Sequence, residues 1–279
     1  MNDDLRQRGF LRNPVLIVAI PLLLILLLPG VSLILSAGFA RVWAAFLDPL
    51  FREAMLLSLS TSLASMLSIV VAGVPLAWWL ARSNSKVVGW LEPLLDLPII
   101  LPPAVVGIGL LQAFGRNGLL GDLLASVGLS LPFSWLAVVI AQIMMAAPFF
   151  LRAALVAFRS IDRELEEVAR TLGHSSGKIF IGVILPLSRR GLLAGALLAW
   201  ARALGEFGAT LLFAGNMPGV TQTLPLAIFS ALERDVNLAI AMSLLLLAMA
   251  MLLLALIPPS TSPGAAETEA FHPDSKNGT

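Results

Sequence analysis

The chain has 279 residues, of which 58% are hydrophobic and only 13% charged, and its mean hydropathy is +0.92. A soluble domain carries about 25% charged residues, so this composition excludes an ordinary soluble domain and points to a multi-pass membrane protein. The formal net charge of +1 gives no footprint for nucleic acid, and the absence of Cys removes disulfides, thiolate catalysis and cysteine-based metal sites.

A membrane-crossing helix needs about 20 mostly apolar residues. Six segments meet that need: 15–39, 54–80, 91–114, 135–158, 191–214 and 238–257. The expected fold is therefore all-α, with six transmembrane helices. Arg6, Arg8 and Arg12 precede the first segment in the manner of a signal peptide. Its apolar stretch is longer than a signal h-region, so an uncleaved first span is expected after a short segment, 1–14. The third segment holds Glu92, Asp96, Pro98, Pro102 and Pro103. A smooth lipid-facing helix is not expected there, and a broken segment beside a cavity is. In the run L-P-P-A-V-V-G, residues 101–107, adjacent prolines remove two backbone donors and impose a bend. Pro102, Pro103 and Gly107 are thus candidates for a translocation path or gate, against a kink that only serves packing. The G-R-N-G run at 115–118 reads as a turn.

The loop 159–190 is polar between two apolar runs. Asp162 can cap a short helix, with Glu164, Glu166 and Glu167 near its positive end. Gly173 supplies a stop, and Ser175 or Ser176 a cap for a second short helix toward Pro186. Such an elbow is either an amphipathic connector or a knob for a groove in a partner. On the fifth segment Gly191, Gly195 and Ala199 recur every four residues, and Gly205 and Gly208 continue a surface of small side chains. This spacing serves close helix packing, within one chain or across a two-fold axis. Arg202 and Glu206, four apart, are expected to share a helix face and pair. Charges within a span are costly unless paired or wet, which makes both candidates for the path as well as for a structural ion pair. The G-N-M-P-G run at 215–219 is a second turn. Residues 258–279, rich in Pro, Ser, Thr, Gly and acids, are expected to be a disordered tail.

Orientation follows Lys and Arg. One side collects Arg6, Arg8, Arg12, Arg82, Lys86, Arg159, Arg163, Arg170, Lys178, Arg189, Arg190 and Lys276, and the other holds Arg41, Arg52, Arg116 and Arg234. Both termini and the 159–190 loop are expected in the cytoplasm, and the basic loops are read as topology signals. Neither Walker A, H-E-x-x-H nor G-x-S-x-G occurs, so the chain is not expected to be an enzyme or to bind ATP.

The stretch 167–186 resembles the E-A-A-x3-G-x9-I-x-L-P signature of bacterial ABC importer permeases. Glu167, Ala169, Gly173, Leu185 and Pro186 match at the required spacing, while Val168 and Val183 replace an Ala and the Ile. With L-P-P-A-V-V-G, G-R-N-G, A-R-A-L-G-E-F-G-A-T (201–210) and G-N-M-P-G in this order, the chain is similar to molybdate permease subunits from about residue 54 to 257. Sulfate permeases are related but favour Thr, Pro and Tyr where this chain has Pro103, Arg116 and Phe207; Asn117 fits their pattern. The resemblance implies a type I importer permease fold in the bacterial inner membrane and a homodimer, for whose packing Gly191, Gly195, Gly205 and Gly208 are the candidates by their spacing. It also implies two ATPase subunits docking at Glu167, Val168, Ala169, Gly173, Leu185 and Pro186, with ATP and Mg bound by those subunits and no cofactor in this chain. An oxyanion-binding protein would dock outside and deliver molybdate or tungstate. The alternatives are a sulfate or thiosulfate permease and an ATP-independent channel or secondary transporter. For the last, paired repeats are expected, and no clear internal repeat is visible.

Overall fold

The computed structural model describes residues 14–83 and 85–257. Most of the expected 1–14 segment and the 258–279 tail lie outside them. Among the described residues the regular structure is entirely helical. Helix α1 (Pro14–Ser36) is followed by a separate short helix, α2 (Phe39–Leu47), because Gly38 is extended and starts a new helix. The first span thus stops before residue 39. Asp48 then accepts from the Leu50 and Phe51 amides at 2.8 and 3.3 Å, and Pro49 follows it in the first turn. This cap starts α3 (Pro49–Arg82), whose 34 residues extend about 50 Å, well beyond a ~30 Å hydrocarbon core.

The third span is broken, as its prolines require. Helices α4 (Lys86–Leu95) and α5 (Leu97–Ile100) are separated from α6 (Pro103–Phe114) by a bend of 113°. Leu101 is extended before Pro102, and neither proline can donate to the preceding turn. A short helix α7 (Gly121–Ser126) leads to α8 (Trp135–Arg159), capped by the Ser134 hydroxyl on the Ala137 amide. Next come α9 (Arg163–Thr171), α10 (Ser176–Leu204), α11 (Gly208–Phe213), α12 (Leu224–Leu232) and α13 (Val236–Ala255). Among the described residues five helices are long and apolar enough to cross a membrane, six spans when the bent pair is counted as one.

The fifth span differs from the expected 191–214. Its helix begins at Ser176 and ends at Leu204. No short second helix stops at Pro186. The chain runs through a π-helical turn, Phe180–Ile184, in which the Leu185 amide donates to the Phe180 carbonyl. The wider turn fits Pro186, which has no amide to continue an α-ladder, so the loop passes into the span without a break.

Helix α8 is the central post, flanked by α3 and α10. A Cβ at Gly73 of α3 would lie 2.8 Å from the Phe150 ring. On α10, Cβ atoms at Gly191 and Gly195 would lie 2.6 and 2.7 Å from the Cβ atoms of Ala157 and Ala153 on α8. These two glycines, candidates for packing within one chain or at a dimer surface, let two helices of one chain approach. In hydrocarbon this close packing holds helices together in place of the hydrophobic effect. Around this post the cores divide. Phe150, Phe158, Leu80, Ile184 and Ala199 fill the half nearest the 159–190 loop. Val106, Leu110, Val138, Met145 and Phe213 pack the broken elements against α8. Phe51, Leu224, Ala239 and Met242 form a third cluster among α2, α3, α12 and α13.

Candidate functional site

The elbow at 162–186 is built from its caps. Asp162 accepts from the Glu164 amide at 3.0 Å and starts α9. At the other end Gly173 has φ +85°. Its amide donates to the Arg170 carbonyl at 2.9 Å, and the His174 amide reaches the Ala169 carbonyl at 3.2 Å. These two bonds make a Schellman stop, which needs a left-handed residue at that point. A Cβ on Gly173 would meet nothing, so only the backbone conformation excludes other residues. Gly173→Val is therefore expected to shift the elbow without creating a clash. Protease cleavage of the 172–175 turn should rise several-fold, because β-branched residues resist positive φ.

One face of α9 is anchored and the other is free. Glu166 and Ala169 are buried, and Ala169 joins the core near Leu80 and Ile179. The Glu166 carboxylate meets Arg82 Nε, at the end of α3, at 2.5 Å and Arg170 at 3.9 Å. Arg82 also donates to the Ile161 carbonyl at 3.4 Å. Glu167 is exposed, and so are Leu165, Val168 and Leu172, which share one side of the elbow at helical spacing. Of the motif residues, Glu167, Val168, Gly173 and Pro186 are open to a partner, Leu185 is half-buried, and Ala169 faces inward. From the sequence Arg82 reads as a topology signal alone, and Glu166 only as one of several acids near a helix start. Their mutual burial is the contact that fixes the elbow to the membrane helices. A buried acid among charged neighbours is visible only once α3 and α9 are brought together.

Four of the five candidate path residues converge at two helix breaks. Helix α10 ends at Leu204, so Glu206 lies past its end and does not share a helix face with Arg202, contrary to the i, i+4 expectation. The pair forms nevertheless: Arg202 Nη1 is 2.7 Å from Glu206 Oε2, with the carboxylate 1% and the arginine side chain 27% exposed. The other carboxylate oxygen accepts from the Ala209 amide at 2.9 Å and so starts α11. Helix α11 lies directly on α6. A Cβ at Gly107 would be 2.9 Å from the Ala209 carbonyl oxygen and from Leu212 Cβ, and one at Gly208 would be 2.8 Å from Pro103 Cβ. Gly208, like Gly191 and Gly195, therefore serves contact within the chain rather than across a dimer axis. Gly205 is exposed, and Pro102 stands at the hinge, also exposed. The two broken spans thus meet side by side along α6 and α11, and one carboxylate links α10 to α11.

Polar side chains missed in the sequence support this region. Ser58, Thr61, Ser62 and Ser65 form a fully buried hydroxyl seam along α3. Ser62 accepts from Trp200 Nε1 at 3.0 Å, Ser58 from the Leu224 amide at 2.6 Å, and Ser65 donates to Gln142 Oε1 at 3.0 Å. Their spacing at three and four residues was legible as one helix face, but serine and threonine are common in membrane helices. At the end of the molecule opposite the elbow, Asn216 donates to Ser230 at 2.9 Å, and Gln222 donates to Asn216 at the same distance. With Asp48 and Arg234 they edge a cleft of about 240 Å³. Gly215 and Gly219 take positive φ in the turn beside it.

Residues 73–260 match the family model described as binding-protein-dependent transport system inner membrane component. The chain is 45% identical over 219 residues to the molybdenum transport system permease protein of Mycobacterium tuberculosis, spanning 78% of this chain and 83% of that one. With its counterpart in Escherichia coli K12 it shares 40% over 182 residues, 65% of this chain and 80% of that one. In fold it resembles a chain from a bacterial ABC transporter involved in the import of the acidic polysaccharide alginate, with a TM-score of 0.69 at 18% identity, covering 90% and 93% of the two. The importer permease fold and a multi-pass place in the bacterial inner membrane follow. The chain belongs to the family of binding-protein-dependent transport system inner membrane components, among the molybdenum transport system permease proteins.

Proposed function

We propose that two copies of this chain form the pore of an ATP-driven importer for molybdate, with tungstate as its close substitute. Two separate ATPase subunits bind ATP and Mg, and each receives one elbow. The termini and the elbow lie in the cytoplasm, in keeping with the Lys and Arg that surround them. An oxyanion-binding protein docks at the opposite face, beside the turns at 115–118 and 215–219. Selection of the anion rests mainly with that protein, so the pore needs no tight site.

The observation that carries this reading is the elbow itself. It presents Glu167, Leu165, Val168 and Leu172 outward while Glu166, Ala169 and Arg82 tie it to α3. A partner that pushes on the free face moves the membrane helices with it. The choice of molybdate rests on the relatives named for molybdenum transport. Glu167→Lys reverses an exposed charge without disturbing the fold, and co-purification of the ATPase from membranes is expected to fall at least tenfold. Normal co-purification together with normal uptake would remove the elbow from the mechanism.

A further inference from the structure

Arg152 and Arg159 lie two turns apart on one face of α8. Arg152 Nε donates to Asp96 Oδ1 at 2.9 Å, and its Nη2 to the other oxygen of the same carboxylate. Arg159 Nη2 donates to Glu92 Oε1. Glu92 and Asp96, from the first arm of the broken third span, are largely covered at 21% and 15% side-chain exposure. Arg152 and Arg159 are not, at 61% and 47%. Val156, between them, is 70% exposed.

This face has no role in the elbow or at the helix breaks. Helix α8 is about 37 Å long, and Arg152 stands about 10 Å back from its Arg159 end, which places it within a ~30 Å hydrocarbon core. The lateral bond to Asp96 keeps its guanidinium from reaching up to the interface. An arginine half-open at that depth is costly against lipid, so the face meets water or protein. A guanidinium has five N–H donors, and a bidentate carboxylate takes two. Arg152 therefore keeps donors for another acceptor while its charge is already balanced. A tetrahedral oxyanion can touch such a pair without being held by it.

We propose that the Arg152–Asp96 and Arg159–Glu92 pairs line the exit side of the anion path, where each arginine offers its spare donors and each carboxylate keeps the contact weak. This rests on the importer reading above and places the wet wall of the pore along α8 and α4.

The chain has no Cys, so Val156→Cys gives one reporter in each copy of the chain, read on this chain in the assembled complex with its ATPase. A membrane-impermeant, negatively charged thiosulfonate should label it in the nucleotide-free complex, and molybdate should slow the labelling. Absence of labelling, or a disulfide between two copies in its place, overturns the proposal. The second arm compares Asp96→Asn with Arg152→Gln, using radiolabelled molybdate on the complex without binding protein. Asp96→Asn should raise retention about fivefold or more, whereas Arg152→Gln should lower it. A merely structural pair moves both variants in the same direction, which contradicts the proposal. If either variant fails to assemble, Glu92→Gln and Arg159→Gln take its place, and the labelling result stands by itself. Wild-type vesicles that take up no molybdate would instead defeat the importer reading.

Discussion

Glu206→Leu is expected to abolish assembly of the complex. The substitution strands Arg202 beside the break between α10 and α11, and removing one partner of a buried pair costs about 3–5 kcal/mol. Partial exposure of Arg202 lowers that figure, but the same carboxylate also caps α11 through the Ala209 amide. Leaving that amide unbonded adds about 1–3 kcal/mol. Glu206→Gln separates the two effects, since its amide oxygen still accepts from Ala209 while the charge is gone. Combined with Arg202→Met, it should assemble near the wild-type level. If Arg202 lies on the anion path, uptake in that double variant should stay at least tenfold below wild type. Wild-type uptake in the well-assembled double variant would show an ion pair that supports only the fold.

The second large effect is expected at Glu166. With Glu166→Leu, Arg82 loses its 2.5 Å partner at a site where both side chains are mostly buried. The cost is again about 3 kcal/mol or more, and it falls on an ion pair that ties α9 to α3. Amide exchange across α9 should accelerate about tenfold to a hundredfold, because local opening of the elbow becomes cheaper. Uptake should fall while ATP hydrolysis persists, since the ATPase would push on an α9 whose ionic tie to α3 is gone. Swapping the charges, Arg82→Glu with Glu166→Arg, should recover part of the coupling. Unchanged exchange in the single variant would mean that apolar packing around Ala169 anchors α9 unaided.

Much of this architecture was legible in the chain because its signals are local. Asp162 and Gly173 mark a helix start and stop by their own chemistry, and both act so here. Pro102 and Pro103 announce a break for the same reason. What could not be read depends on contacts between distant segments. Gly191 and Gly195 look alike whether they face a second copy or α8, and only the Ala157 and Ala153 side chains decide it. Arg202 and Glu206 are correctly spaced for a helical pair, yet the helix ends between them and the pair closes across a break. Pro186 suggested an end to a short helix, but the π-turn before it absorbs the missing amide and lets the helix continue. Arg82 and Arg159 read equally well as topology signals, and their carboxylate partners sit 84 and 67 residues away.

The central claim, an ATP-driven molybdate pore, is tested most directly by uptake into sealed vesicles. These would contain this chain, its ATPase and the oxyanion-binding protein. ATP should drive accumulation of radiolabelled molybdate, tungstate should compete at similar concentration, and sulfate should compete at least tenfold less well. Efficient ATP-dependent sulfate uptake without molybdate uptake would contradict the substrate assignment, and molybdate accumulation independent of ATP would contradict the pore mechanism.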